Sequence, residues 1–520
     1  MRHRILRCLG VTLALLAVVL GSCTAGPSDR PAVAVRESGL PPQRIQQVPP
    51  SRPPLPPVGG YVPDSLPWRD CTNAITLALG AASSRQVDCA GLQVDATVAN
   101  PAFGNSLRLD LTRIGNGPAP LVVLGETSEE PGTVRAVRLA QQLPPALLDR
   151  FTLIGMARRG TGPSEPLECI PKFTRAQIIG IDPDATQASD IQLDSLLDTA
   201  RTAIQSCVQD LGEILTMISS TDTADDLEQL RVAINAPVLN VISHGESSRS
   251  VIDFLRRYPS SVGRVVLDGA VDPALDDVSA AETALGAADA GYSAFAADCV
   301  ARGCPLGTDP RSALISLAQS LRQSPLQVGW QEITAGTVYE AVLETLGDPQ
   351  RWPQLSHALA SARDGDGREL ATLVAPLLSE ERGLPARFDP DLATHCNDTA
   401  TRVPPERAQQ LMTQWHQRSA LFGSLFAARL LLCSAWPVPS QPPASSGGAL
   451  PPVLVVATTG DPLTPGEGSR RAAGALPSAT LVTWEGQAHG ALPRSTCVTD
   501  LVTRFLTDAS IPRQGTLCPP

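Results

Sequence analysis

The sequence predicts an α/β protein in which a mostly parallel sheet is covered by helices. Two observations carry that reading. Short apolar runs of strand length, at residues 121–124, 151–154, 238–242 and 265–267, lack the alternation of a half-exposed strand. Segments with apolar residues at helical spacing, 193–215 and 224–234, fall between them. Strands apolar on both faces need helices on both faces, and parallel strands need crossovers, so the alternation points to a covered parallel sheet. A chain of 520 residues with 43% hydrophobic content can bury a large core, as one elaborated domain or as two or three smaller ones.

In chain order, Arg2, Arg4 and Arg7 precede an apolar run over 11–20 that ends in Gly21-Ser22-Cys23. This is an export signal over residues 1–22. The ending Leu20-Gly21-Ser22-Cys23 resembles a bacterial lipobox, which implies cleavage before Cys23 and lipidation of its thiol. The alternatives are an unlipidated secretory signal or an uncleaved membrane helix, for which the run is short against the about 20 residues of a span. The protein is therefore expected on the outer face of the cell membrane as a lipoprotein, or secreted.

Residues 23–67 are rich in proline and small or polar residues and read as a semi-stiff tether. Residues 68–275 hold the first strands and helices, with Thr221-Asp222-Thr223 offering an N-cap. Residues 276–440 are alanine-rich, helical and free of buried-strand runs, as an insertion over the sheet would be. Residues 441–520 resume the strand pattern at 453–457 and 479–484, then close with a helix at 497–506. Residues 440–448 read as a flexible loop, and no internal repeat is seen.

The formal charge is −11 and becomes more negative once the signal arginines leave, which excludes nucleic acid and an anionic lipid surface as partners. Of twelve cysteines, Cys8 leaves with the signal and Cys23 would carry lipid. The even remainder in an exported chain reads as disulfides. Connectivity is not fixed by sequence, but spacing suggests neighbours: Cys71 with Cys89, Cys169 with Cys207, Cys299 with Cys304, Cys396 with Cys433, and Cys497 with Cys518. No C-x-x-C and no H-E-x-x-H occurs, so neither a metal nor a cofactor is expected.

The chemistry lies in three turns. Ser243-His244-Gly245-Glu246-Ser247-Ser248 separates the run 238–242 from a helix-like segment at 250–258, the setting of a G-x-S-x-G nucleophile elbow, but Gly245 stands where the serine belongs. Gly460-Asp461 follows the strand at 453–457, and Gly486-Gln487-Ala488-His489-Gly490 follows the next. Alone, Asp461 would be an Asx-turn or helix cap and His489 a structural histidine. Together, each after a strand and in the order nucleophile, acid, histidine, they read as a catalytic acid and base. Ser247 could serve as nucleophile only through a two-residue shift of the elbow, with Arg249 replacing the second glycine. His244 and Glu246 are polar groups beside the turn, and Glu246 also suits a helix start.

These segments resemble the secreted tripeptidyl aminopeptidase-like α/β-hydrolases of actinobacteria, relatives of prolyl iminopeptidases, over nearly all of the chain after the tether. The resemblance rests on Arg159-Gly160-Thr-Gly-Pro-Ser164, Val265-Val-Leu-Asp-Gly-Ala-Val-Asp-Pro273, Cys299-Val-Ala-Arg-Gly-Cys304-Pro-Leu-Gly, Val455-Val-Ala-Thr-Thr-Gly-Asp-Pro462 and Trp484-Glu-Gly-Gln-Ala-His489-Gly. It implies an α/β-hydrolase fold with a helical cap, a C-terminal segment bearing Asp461 and His489, and release of short peptides from free N-termini.

The departures fall on the chemistry. Gly245, 23 residues before Asp268, takes the nucleophile's position and offers no attacking atom. The family's N-P-G-G-P-G loop, a source of oxyanion contacts, becomes Leu124-Gly-Glu126-Thr127-Ser-Glu129-Glu130-Pro-Gly132. Carboxylates there oppose the charge an oxyanion hole stabilises. The usual D-x-R-G reads Ala157-Arg158-Arg159-Gly160. The expectation is an exported lipoprotein that has lost serine-peptidase chemistry and binds a peptide or envelope component. The alternatives are an active hydrolase using Ser247 and a purely structural envelope protein.

Overall fold

The computed structural model describes residues 54–95, 106–182, 190–399, 401–436 and 450–520. The expected signal, Cys8, Cys23, most of the tether and the loop expected at 440–448 lie outside the described residues. No described helix is long and apolar enough to cross a membrane.

The apolar runs become strands, joined in one ten-stranded sheet. In chain order its strands are β1 (Arg69–Asp70), β2 (Asp88–Asp95), β3 (Ser106–Ile114), β4 (Ala119–Leu124), β5 (Phe151–Met156), β6 (Leu239–His244) and β7 (Val262–Asp268). After a separate hairpin of β8 (Leu326–Val328) and β9 (Gln331–Ile333) come β10 (Val453–Thr458), β11 (Ala479–Trp484) and β12 (Thr516–Cys518). The spatial order is β1-β2-β3-β5-β4-β6-β7-β10-β11-β12. Pairing is parallel from β5 through β12, while β1, β2 and β3 add antiparallel strands at one edge. Every residue of β4, β5, β6, β7 and β10 is buried, because helices cover both faces of the middle of the sheet. This is an α/β-hydrolase arrangement.

Register fixes what meets at the carboxyl edge. Leu124 pairs with Ser243, His244 with Asp268, Asp268 with Val456, and Thr458 with Trp484. The turns after β4, β6, β10 and β11 therefore open side by side, where sites form in open α/β sheets.

The cap is helical as expected, and it draws on more of the chain than residues 276–440. Its core includes Tyr292, Phe295, Leu314, Val338, Leu355, Val374, Trp415 and Phe422, but Ile179, Leu196 and Leu197 join the same cluster from helices Lys172–Ile179 and Asp190–Leu211. The cap also contains the short hairpin β8–β9. The helix Ser220–Ala233 is capped by Ser219, whose hydroxyl accepts from the Asp222 backbone N–H, two residues before the expected start.

Residues 54–67, expected in the tether, lie against the fold. Asn240 Nδ2 donates to the carbonyls of Val58 and Pro120, Arg264 donates to Pro56 O, and Val62 N–H donates to Ile234 O. Val58 is buried, and Leu55, Tyr61 and Leu66 pack on the core. All ten cysteines after Cys23 pair as their spacing suggests. The bonded state places the chain in an oxidising, exported setting.

Candidate functional site

The β6 strand runs into a tight turn, Gly245–Ser247, and then the helix Ser248–Arg257. Gly245 sits at the apex with φ +54°, the left-handed conformation that a nucleophile elbow imposes and glycine adopts without steric cost. A Cβ built there would fall 1.4 Å from Glu126 Oε1 and 3.0 Å from His489 Cε1. The space of the missing side chain is filled by a carboxylate from the loop after β4.

Glu126 is buried and held from several sides. Its Oε1 accepts from the backbone N–H of Glu246 at 2.5 Å and lies 3.3 Å from His489 Nε2, while Oε2 accepts from Ser128 Oγ at 3.2 Å. The residue after a nucleophile supplies one oxyanion-hole N–H in this type of site; here that N–H is occupied by an internal anion. The rest of the loop is tied down through Thr127 to Asp391, Glu130 to Arg138 and Glu129 to Arg135.

On the other side, Asp461 and His489 meet. His489 Nδ1 lies 3.0 and 3.1 Å from the two Asp461 oxygens. Asp461 also accepts from the backbone N–H groups of Leu463, Thr464 and Gly490 and from Thr464 Oγ1. Burial disfavours a charged imidazole, but Asp461, Glu126 and Glu129 outweigh it and hold His489 well above its ordinary pKa. Burial likewise opposes the charge on Glu129 and Glu126; the two histidines around Glu129, and His489 above all for Glu126, overcome it and lower both carboxyls.

Ser247 is buried, and its hydroxyl is taken up locally. It donates to His244 O at 2.7 Å and accepts from His244 N–H at 3.1 Å, with Leu124 O at 3.4 Å. Its backbone is right-handed, φ −61°, not the strained apex of an elbow. Glu246 pairs with the buried Arg158 at 2.5 Å, joining the elbow to the loop after β5. Arg159 forms a buried pair with Asp226.

The sequence marks His244 as a polar group beside the turn but gives no sign that it meets His489. His244 ends β6 with its ring 4.3 Å from that of His489, its Nε2 3.4 Å from Glu129 and its Nδ1 3.8 Å from Asp268. Glu129, His244 and His489 offer donor atoms all within 4.8 Å of one another. Their separation along the chain leaves no motif to read. A cavity of about 1270 Å³ lies above these residues, between the sheet edge and the cap.

Residues 419–518, including Asp461 and His489, match the TAP-like protein family. The chain has an α/β-hydrolase fold whose C-terminal segment is TAP-like. It is 26% identical over 422 residues to the serine protease Hip1 of Mycobacterium tuberculosis, covering 75% of this chain and 78% of that protein. It is 27% identical over 481 residues to carboxylesterase B of the same organism, covering 87% and 90%. Tripeptidyl aminopeptidase of Streptomyces lividans is 23% identical over 488 residues, covering 88% and 87%. The chain is thus similar to proteins named as a serine protease, an esterase and an aminopeptidase, and differs from the nucleophile-elbow pattern at Gly245.

Proposed function

We propose that this protein is an exported, lipid-anchored α/β-hydrolase that has lost serine-peptidase chemistry and uses its capped cavity to bind a short peptide or cell-envelope component. The observation that carries the reading is Glu126, whose carboxylate takes the nucleophile's place and engages the Glu246 N–H. An acyl transfer there would have no hydroxyl bonded to His489 Nε2, since the nearby Thr464 hydroxyl lies on the Nδ1 side at 3.3 Å, and would develop negative charge against an existing anion. The ligand class is taken from relatives named as a peptidase, an aminopeptidase and an esterase. The anchor reading is supported by the Leu20-Gly21-Ser22-Cys23 ending.

The test is a fluorophosphonate probe, which reacts with a serine activated by a neighbouring base. The purified protein should stay unlabelled. Labelling that is strong in the unmodified protein and abolished by Ser247→Ala would overturn the reading. Cys23→Ser should release the protein from the membrane or leave its precursor unprocessed; unchanged attachment and processing would remove the anchor.

A further inference from the structure

We propose that His244, His489 and Glu129 bind a divalent metal ion of the zinc type at the floor of the cavity, with Glu126 beside the fourth position. The site goes beyond the loss of serine chemistry and does not depend on it.

Two imidazoles and a carboxylate are a zinc donor set, and three protein ligands with an open position are the usual form of a site that faces a cavity. Metal–ligand distances of about 2.0–2.2 Å put the donors of a tetrahedral site roughly 3.3–3.5 Å apart. His244 Nε2 lies 3.4 Å from Glu129 Oε2, and His489 Nε2 lies 3.3 Å from Glu126 Oε1 and 4.0 Å from Glu129 Oε1. Glu129 is the partly exposed member, so its side chain has room to close the longest of these gaps.

The outer contacts point the same way. Ligating histidines present one nitrogen to the metal and the other to a carboxylate or carbonyl that orients the ring. His489 Nδ1 is held by Asp461 at 3.0 Å, while His244 Nδ1 lies 3.8 Å from Asp268, beyond hydrogen-bond distance, so Asp461 is the orienting carboxylate of the pair. Asp268 is itself pinned by the N–H groups of Ala491 and Leu492. His489 Nε2 lies near Glu126 and Glu129, and His244 Nε2 near Glu129, so both rings present Nε2 to Glu129. An independent observation is that His489 Nε2 is buried and makes no hydrogen bond, although Glu126 is near. A buried imidazole nitrogen left without a hydrogen bond is a position that an ion can fill.

Charge completes the case. Among the described residues, Glu126, Asp268 and Asp461 have the two imidazoles as their ion-pair partners, and Glu129 adds only Arg135 at 3.6 Å. Four carboxylates around two imidazoles form a strongly cation-attracting pocket. Gly490, at φ +69°, completes the packing: a Cβ there would lie 2.4 Å from His244 Cε1, so glycine admits the ring.

The experiment titrates the full mature chain, stripped with a chelator and dialysed, with zinc chloride by calorimetry, and with cobalt chloride by visible absorption. One ion should bind per chain, cobalt should give the intense bands of a four-coordinate site, and zinc should raise the melting temperature. His244→Gln and Glu129→Gln should each weaken zinc binding more than about 100-fold, and Asp461→Asn by roughly 10–100-fold, as for other orienting carboxylates. Circular dichroism checks that each variant is folded; should His244→Gln fail to fold, Glu129→Gln on its partly exposed loop decides. No saturable binding to the unmodified chain, or binding that survives in folded Glu129→Gln, overturns the proposal. Fluorophosphonate labelling is a separate readout, so the two readings can fail independently.

Discussion

The two sides of the site differ in what they keep of an acid, base and nucleophile arrangement. On the C-terminal side, Asp461 and His489 keep the geometry of an acid orienting a base, with the acid pinned by three backbone N–H groups. On the N-terminal side, the elbow keeps its backbone, including the left-handed apex, but the serine is gone and Glu126 has moved into its space. The difference teaches that backbone and chemistry are separable here. The elbow is held by strand register and a buried helix start, whereas catalysis hangs on one side chain and the charge of the loop opposite it.

The largest expected effect comes from reversing the N-terminal side. Gly245→Ser alone should give almost no fluorophosphonate labelling, because its Cβ collides with Glu126 and the oxyanion N–H stays occupied. Gly245→Ser combined with Glu126→Gly should label at least about 100-fold faster than the single variant, since one oxyanion donor is worth roughly 100–1000-fold. Equal rates would mean that Glu126 does not block the site.

A stability effect should separate the sides further. Glu246→Ala leaves Arg158 buried without its close carboxylate partner, which should cost about 3 kcal/mol, the low end for breaking a buried pair. Urea denaturation would detect it; a loss under about 0.5 kcal/mol would place this pair with exposed ones. Where the sides touch, Gly490→Ala puts a Cβ against the His244 ring at positive φ and should cost about 1–3 kcal/mol. A neutral result would show that His244 can move freely.

The smallest effect is a pH dependence in the buried cluster under the elbow. Burial raises Asp222 from its ordinary value of 3.8 to about 6, despite the nearby Arg159. The folded state therefore holds this proton more tightly than the unfolded chain. The associated stability is fully present below about pH 4 and is lost as pH rises through about 6. Asp222→Asn should exceed the unmodified protein at pH 8 by about 1 kcal/mol, less than the full rise implies because the side chain is partly exposed, and the gap should close by pH 4. A gap independent of pH would remove titration as its cause.

The middle of the sheet was legible because β4, β6, β7 and β10 are apolar on both faces, and only a doubly covered sheet accepts such strands. The strands β2 and β3 were not, since Asp88, Gln93, Arg108, Asp110 and Arg113 break any apolar run at the sheet's edge. Pro56, Val58 and Pro63 read as linker by composition, while their carbonyls accept from Arg264, Asn240 and Arg113 far along the chain. At the site, Gly245, Asp461 and His489 could be found from turn spacing. The reach of Glu126 into the elbow, and the meeting of His244 with Glu129, depend on how three loops converge in space, which no local pattern encodes.

The segment at residues 56–60 crosses the amino ends of the strands, touching Asn240 near the start of β6, Arg264 near the start of β7 and Pro237 just before β6. The cavity lies at the other pole, beyond their carboxyl ends. The two ends of the sheet are therefore used differently: the strand starts are covered by the chain's own proline-rich segment, while the strand ends, beneath the cap, carry the cavity.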